Sequence, residues 1–225
     1  MTIHDPAPSD ESSAAKPILR GVLHHSAAFF AAGAGAVLVG LSPDLRTAAA
    51  TGIFSLSLVT LFAVSAIYHR VQWKSARARA YMRRADHASI FVLIAGTYTP
   101  VAFLGLGGAD GRRLLIMIWA GAAAGVLLSL FWVKAPKALT AAVAVAMGWM
   151  IVPYFGQVRR LLGAEIWLIV LGGIAYTAGA VIYAVKRPNP WPRVFGYHEV
   201  FHALTIVGAL LHFAAIVEIV RALPG

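Results

Sequence analysis

Seven long apolar runs, at 22–41, 47–69, 86–106, 114–133, 138–156, 166–185 and 197–220, alternate with short polar stretches rich in Gly, Pro, Asp and Arg. Each run has the length, about 20 residues, that a helix needs to cross a hydrocarbon core of about 30 Å. The pattern predicts an all-α polytopic membrane protein: a seven-transmembrane-helix bundle with short connections and neither a soluble domain nor an internal repeat. The fifth run is the weakest, because its Ala-rich start is only mildly apolar. Pro100 and Pro153 stand near the C-terminal ends of the third and fifth runs, where they are expected to end or kink helices. The opening stretch, MTIHDPAPSDESSAAKP, is polar and lacks the charged start and short apolar core of a signal peptide. A disordered tail at 1–17 ahead of one membrane domain at 18–225 is therefore expected, with the first span uncleaved.

Composition sharpens this picture. The chain is 60% hydrophobic and 12% charged, with mean hydropathy +0.75, whereas a soluble domain is about 45–50% apolar and about 25% charged. The net charge of +10 does not suggest nucleic acid, because basic loops mark the cytoplasmic side of a membrane protein. On the N-terminal side lie Lys16, Arg20, Arg70, Lys74, Arg77, Arg79, Arg83, Arg84, Lys134, Lys137, Lys186, Arg187 and Arg193. Only Arg46, Arg112, Arg113, Arg159, Arg160 and Arg221 lie on the other. The bias places the N-terminus in the cytoplasm and the C-terminus outside. The basic stretch at 70–84 is expected beside anionic headgroups. Small residues cluster in AAGAGA at 31–36, at Gly121 and Gly125, and in GGIAYTAGA at 172–180, as close helix packing requires. With no cysteine in the chain, disulfides and thiolate ligands are excluded, and any metal site must use His, Asp, Glu or water.

An ionisable residue inside a span is costly and is by default a functional candidate. Ser65 and His69 stand four apart at the end of the second run and share a helix face. Asp86 and His87 open the third run, and His198 and His202 open the seventh in the stretch HEVFH. The loop charges, assigned without reference to histidines, put Ser65, His69, Asp86, His198 and His202 in the cytoplasmic leaflet, within roughly 6 Å of depth. Three imidazoles and a carboxylate at one level match a zinc site with three protein ligands and a water. Zinc suits imidazole, whereas magnesium and calcium prefer oxygen. Taken singly, each residue has a duller account. His69 can be an interfacial residue beside Arg70, Asp86 can pair with arginines or favour the helix N-terminus, and Ser65 can bond back to its own helix. Convergence at one depth is what lifts the set. His24 and His25 are read as interfacial, and His87 turns about 100° away from Asp86. His212, about 21 Å along the helix from His198, is expected to bond a hydroxyl or carbonyl or to line a cavity.

HEVFH also matches the zinc helix of many metalloproteases, in which the glutamate activates water. Such a protease needs a third ligand from a separate segment. Asp110-Gly111, the sole Asp-Gly pair, falls in an outer loop, at the wrong end. Glu199 lies one helix step of about 100° from His198, within reach of a metal-bound water, but Asp86 is the better base.

The S-x-x-x-H of Ser65 and His69, the Asp at the start of the third span and the H-x-x-x-H of His198 and His202 resemble the pattern of the hemolysin III family. DHASIFVLIAGTYTP at 86–100 and YHEVFHALTIVGALLHF at 197–213 carry the resemblance most strongly. That family is related to the progestin and adiponectin receptors, and groups with alkaline ceramidases in a superfamily of candidate membrane hydrolases. The resemblance implies an intramembrane zinc held by His69, His198 and His202. Asp86 would hold or activate the water, and Ser65 would support a substrate oxyanion. It also implies a bacterial inner-membrane protein with membrane lipids as partners. The expected activity is zinc-dependent hydrolysis of a lipid-like amide or ester. The alternatives are a non-enzymatic lipid-sensing or membrane-homeostasis protein with a structural zinc, and a cytolytic pore.

Overall fold

A computed structural model describes residues 17–132 and 136–223. The tail expected at 1–17 lies, but for Pro17, outside the described residues. Among these the regular structure is helical, with one isolated bridge pairing Trp191 and Phe195.

Helix α1 (Val22–Gly40) and helix α2 (Leu45–Arg70) form an antiparallel hairpin. The Asp44 side chain accepts the Thr47 N–H at 2.7 Å and caps α2, satisfying one of the donors a helix start leaves open. Helix α3 (Ala76–Pro100) begins ten residues before the third apolar run, so most of the basic 70–84 stretch is helix, with α3 capped by Ser75. Arg and Ala are good helix formers, and apolar length does not register that extension. Pro100 has no N–H to continue the ladder. There α3 passes into a wider π-helical segment, Val101–Leu106, which closes when Gly107 donates to Ala102 O at 3.0 Å. Helix α4 (Gly108–Phe131) follows.

The next stretch departs from expectation. Helix α5 (Lys137–Gly148) has 12 residues, about 18 Å of rise, too short for a core of about 30 Å. An irregular turn around Trp149–Tyr154, containing Pro153, leads into short helix α6 (Phe155–Leu162), then a 3₁₀ turn and helix α7 (Ile166–Val185). Helix α8 (Tyr197–Arg221) ends the described chain. Among the described residues, six segments are long and apolar enough to cross a membrane, the fifth of them running through Ala138–Val185 without a long break. The chain is thus a multi-pass integral membrane protein; the sixth run is α7, whereas the fifth does not form a long helix of its own.

Sequence neighbours pack together, α1 on α2, α2 on α3, α3 on α4 and α7 on α8, and α8 closes the bundle against α1, α2 and α3. Phe54, Phe62 and Leu93 bury together with Ala209 and Ile216 between α2, α3 and α8. A second cluster joins Phe91 and Tyr98 of α3, Leu114 and Ile118 of α4, and Ile219 of α8. Large apolar side chains such as Phe30, Leu56, Phe131 and Leu210 are exposed, as lipid-facing positions are when the solvent is hydrocarbon. The first turns of α8 meet the start of α1, the end of α2 and the start of α3, where the polar residues stand.

Candidate metal centre

His69, in the last turn of α2, and His198, in the first turn of α8, bring their Nε2 atoms to 3.1 Å. His202, one turn further along α8, is buried, and one ligand atom from each of the three lies within 4.8 Å of the others. In a tetrahedral zinc site with bonds of about 2.0–2.1 Å, neighbouring ligand nitrogens stand about 3.3–3.4 Å apart. The His69–His198 separation is close to such an edge, and the all-imidazole donor set suits zinc. The residues therefore fit a metal ion: His69, His198 and His202 offer a three-nitrogen ligand set.

Asp86 Oδ2 lies 3.8 Å from His69 Nε2, with its side chain 14% exposed. The Ser65 hydroxyl, one turn before His69 and buried, is in hydrogen-bonding reach of the same carboxylate. All five residues singled out in the sequence thus sit in one neighbourhood built by α2, α3 and α8. The set is closed in by aromatic rings: Tyr68 is 4.6 Å from His69, and Tyr183 is 5.7 Å from His198, centroid to centroid.

Two residues depart from their sequence reading. Glu199 is completely buried, but both carboxylate oxygens are already engaged. One pairs with the Arg20 guanidinium, and the other accepts the Gly196 N–H at 2.8 Å. The glutamate of HEVFH thus caps α8 and ties it to the segment before α1, instead of serving a metal-bound water. Backbone bonds from Ile18 N to Arg193 O (3.1 Å) and from Leu19 N to Val194 O (3.2 Å) reinforce that tie.

His24, expected at the interface, is buried. Its ring lies flat on His202, with centroids 3.7 Å apart and planes within 9°, and Phe62 stands 5.0 Å away on α2. His25 is exposed and stands edge-on to Phe29, at 5.4 Å. A signal for this was present. The small residues Ala31 and Gly35 mark the buried stripe of α1, and stepping back two turns from Ala31 reaches His24. Close docking of α1 supports it, because a Cβ on Gly21 would lie 2.7 Å from His69 Cβ.

His212 bonds the Ile169 carbonyl at 3.2 Å and borders a cavity of about 30 Å³ that Thr97 and Tyr98 also line, away from the three-histidine set. Gly172 makes room for its ring: a Cβ there would lie 2.4 Å from the imidazole.

A membrane bundle that converges three imidazoles on the ends of its second and last helices defines a restricted class of protein. The sequence matches the family described as Haemolysin-III related over residues 12–213, and the chain belongs to that family. It is 33% identical over 162 residues to a hemolysin-3 homolog of Bacillus subtilis, covering 72% of each chain. More distantly it resembles the heptahelical transmembrane protein ADIPOR2 of Oryza sativa, at 29% over 181 residues covering 73% of this chain and 79% of the relative. It also resembles an adiponectin receptor protein of Drosophila melanogaster, at 25% over 188 residues covering 74% and 41%.

Proposed function

We propose that this protein is a zinc-dependent intramembrane hydrolase of a lipid-like amide or ester. The observation that carries the reading is the 3.1 Å approach of His69 and His198 beside His202, with Asp86 3.8 Å from His69. His69, His198 and His202 hold the ion. Zinc, when bound, supplies a lowered water pKa and polarisation of a carbonyl. Asp86 acts as general base, taking a proton from the attacking water, and Ser65 orients the carboxylate or donates to the developing oxyanion. The half-buried rings of Tyr68 and Tyr183 flank the histidines. For a long-chain substrate, a groove of about 410 Å³ lined by Trp149, Ile174 and Val181 lies open along α7.

The reading includes seven passes, with the N-terminus cytoplasmic, the C-terminus outside, and residence in a bacterial inner membrane. α5 enters and stops at mid-depth, where Gly148 O accepts the Tyr98 hydroxyl at 2.7 Å and Trp149 Nε1 donates to Thr177 Oγ1 at 3.0 Å. Thr177 lies roughly 16 Å along α7 from its start. The turn and α6 then complete the crossing. α6 buries Val158 and Leu162, exposes Arg159 and Arg160, and thus suits the interface. The rice relative's name, heptahelical, agrees with this count.

The test combines metal analysis with turnover. Purified protein should hold about one zinc per chain, lost in His198→Ala/His202→Ala. Wild type should release fatty acid from a panel of ceramides and acyl-lipids. Asp86→Asn should keep the zinc and lose about 10²–10⁴-fold in rate, the range for a general base. Zinc-loaded protein that releases nothing from the panel, or an Asp86→Asn variant as fast as wild type, would sink the hydrolase reading.

A further inference from the structure

His24 belongs to no ligand set, yet it is 2% exposed and makes face-to-face contact with His202. Among the described residues, neither of its buried ring nitrogens makes a hydrogen bond of good geometry. It packs through its ring: His202 lies on one face, parallel within 9°, and Phe62 stands tilted at 58°. Of the three candidate ligands, His202 is the one buried most deeply. A side chain on a helix can turn about its terminal torsion at little cost. A ligand ring left free to turn loses entropy on binding metal, and fixing its plane in advance removes that loss. Partners outside the coordination sphere usually do this by hydrogen bonding to the far nitrogen of a ligating histidine, and removing them costs about 10–100-fold in metal affinity.

We propose that His24 does the same work by stacking: it is a positioning residue that locks the plane of His202 and so presets the three-histidine site for metal. A ligand role for His24 conflicts with the stack. A metal bound by His202 lies near the plane of that ring, and a parallel ring at 3.7 Å holds its own lone pairs in a different plane. α1 thus contributes to the centre without supplying a donor. The inference rests on the metal reading of the site, but not on catalysis.

The experiment is competition titration of zinc against a chelator, using the full chain in detergent and a cobalt spectrum as a second readout. The variants are wild type, His24→Ala, and His24→Phe combined with Phe62→Leu to offset the added volume. His24→Ala should bind zinc about 10-fold or more weakly and show an altered cobalt spectrum, with its helical content retained. The stacking variant should recover affinity to within about 3-fold of wild type, although it has no nitrogen at position 24. Wild-type affinity in His24→Ala overturns the inference. So does a stacking variant that folds, by circular dichroism, and still binds as weakly as His24→Ala, since the ring nitrogens would then be what matters. Wild type that binds no zinc overturns both this inference and the metal reading. Tight binding in wild type that is lost in His198→Ala/His202→Ala but unaffected by His24→Ala removes the inference alone.

Discussion

Glu199 follows His198 by one residue, and that one step of the helix gives it a different task. Its carboxylate is buried against Arg20 and closes the first turn of α8 through Gly196. Removing one partner of a buried ion pair leaves the other uncompensated, at about 3–5 kcal/mol. Arg20 keeps 20% of its side chain accessible, so a smaller cost of about 2 kcal/mol is expected here. Glu199→Gln should therefore lower the unfolding temperature in detergent by about 5 °C while leaving zinc content unchanged. Loss of zinc at an unchanged unfolding temperature would instead place this glutamate at the metal. The pairs Ser65/His69 and His198/His202 could be read from sequence because i,i+4 spacing is a local property of a helix. The Arg20–Glu199 pair could not, since its members stand 179 residues apart and only the docking of α1's leading segment on α8 brings them together. Reading both His24 and His25 as interfacial missed His24 for a related reason: adjacent residues differ by about 100° of helix turn, and the small-residue stripe through Ala31 and Gly35 tells the two apart only once it is taken as the docked face of α1.

Glycines show how much of the packing between elements was visible beforehand. The small-residue clusters do mark close approaches, but not at every member. A Cβ on Gly125 of α4 would lie 2.3 Å from the Phe91 ring of α3, and one on Gly96 would lie 2.1 Å from Ser57 Oγ. A Cβ on Gly33 meets nothing within 4 Å. Gly125→Ala should accordingly destabilise the protein by about 1–3 kcal/mol through overpacking. Gly33→Ala, at an exposed position on α1, should be neutral or stabilise by up to about 1 kcal/mol through helix propensity. Thermal unfolding of both variants in one detergent checks the contrast, and equal effects would mean that α3 and α4 are not in close contact at Gly125. Apolar length located α1, α2, α7 and α8 to within about two residues, because lipid demands an unbroken run. It misplaced the start of α3, where the helix continues beyond the apolar run on arginine and alanine. It also overestimated α5, where an Ala-rich segment leaves the helix at Gly148 before the apolar pattern ends.

For the molecule as a whole, the distribution of charge makes a claim that α5 puts in question. If α5, the turn after it and α6 together cross the membrane, Gln72 and Arg187 end on the same side. If Ala138–Val185 crosses only once, as one long segment, they end on opposite sides. The positive-inside bias favours the first outcome, because both flank stretches rich in Lys and Arg. The wild-type chain contains no cysteine, so single cysteines can be read without background. Gln72→Cys, Arg112→Cys, Arg160→Cys and Arg187→Cys place probes at exposed positions. In intact cells a membrane-impermeant maleimide should label Arg112→Cys and Arg160→Cys, and should reach Gln72→Cys and Arg187→Cys only after permeabilisation. Labelling of Arg187→Cys from outside while Gln72→Cys stays protected would mean six crossings. His69 and His198, whose nitrogens meet at 3.1 Å, must share one leaflet under either count. The six-crossing result would therefore require the loop between α7 and α8 to turn back into the membrane to deliver His198. That loop carries Lys186, Arg187 and Arg193, and burying three cations in hydrocarbon is costly enough that the labelling should favour seven.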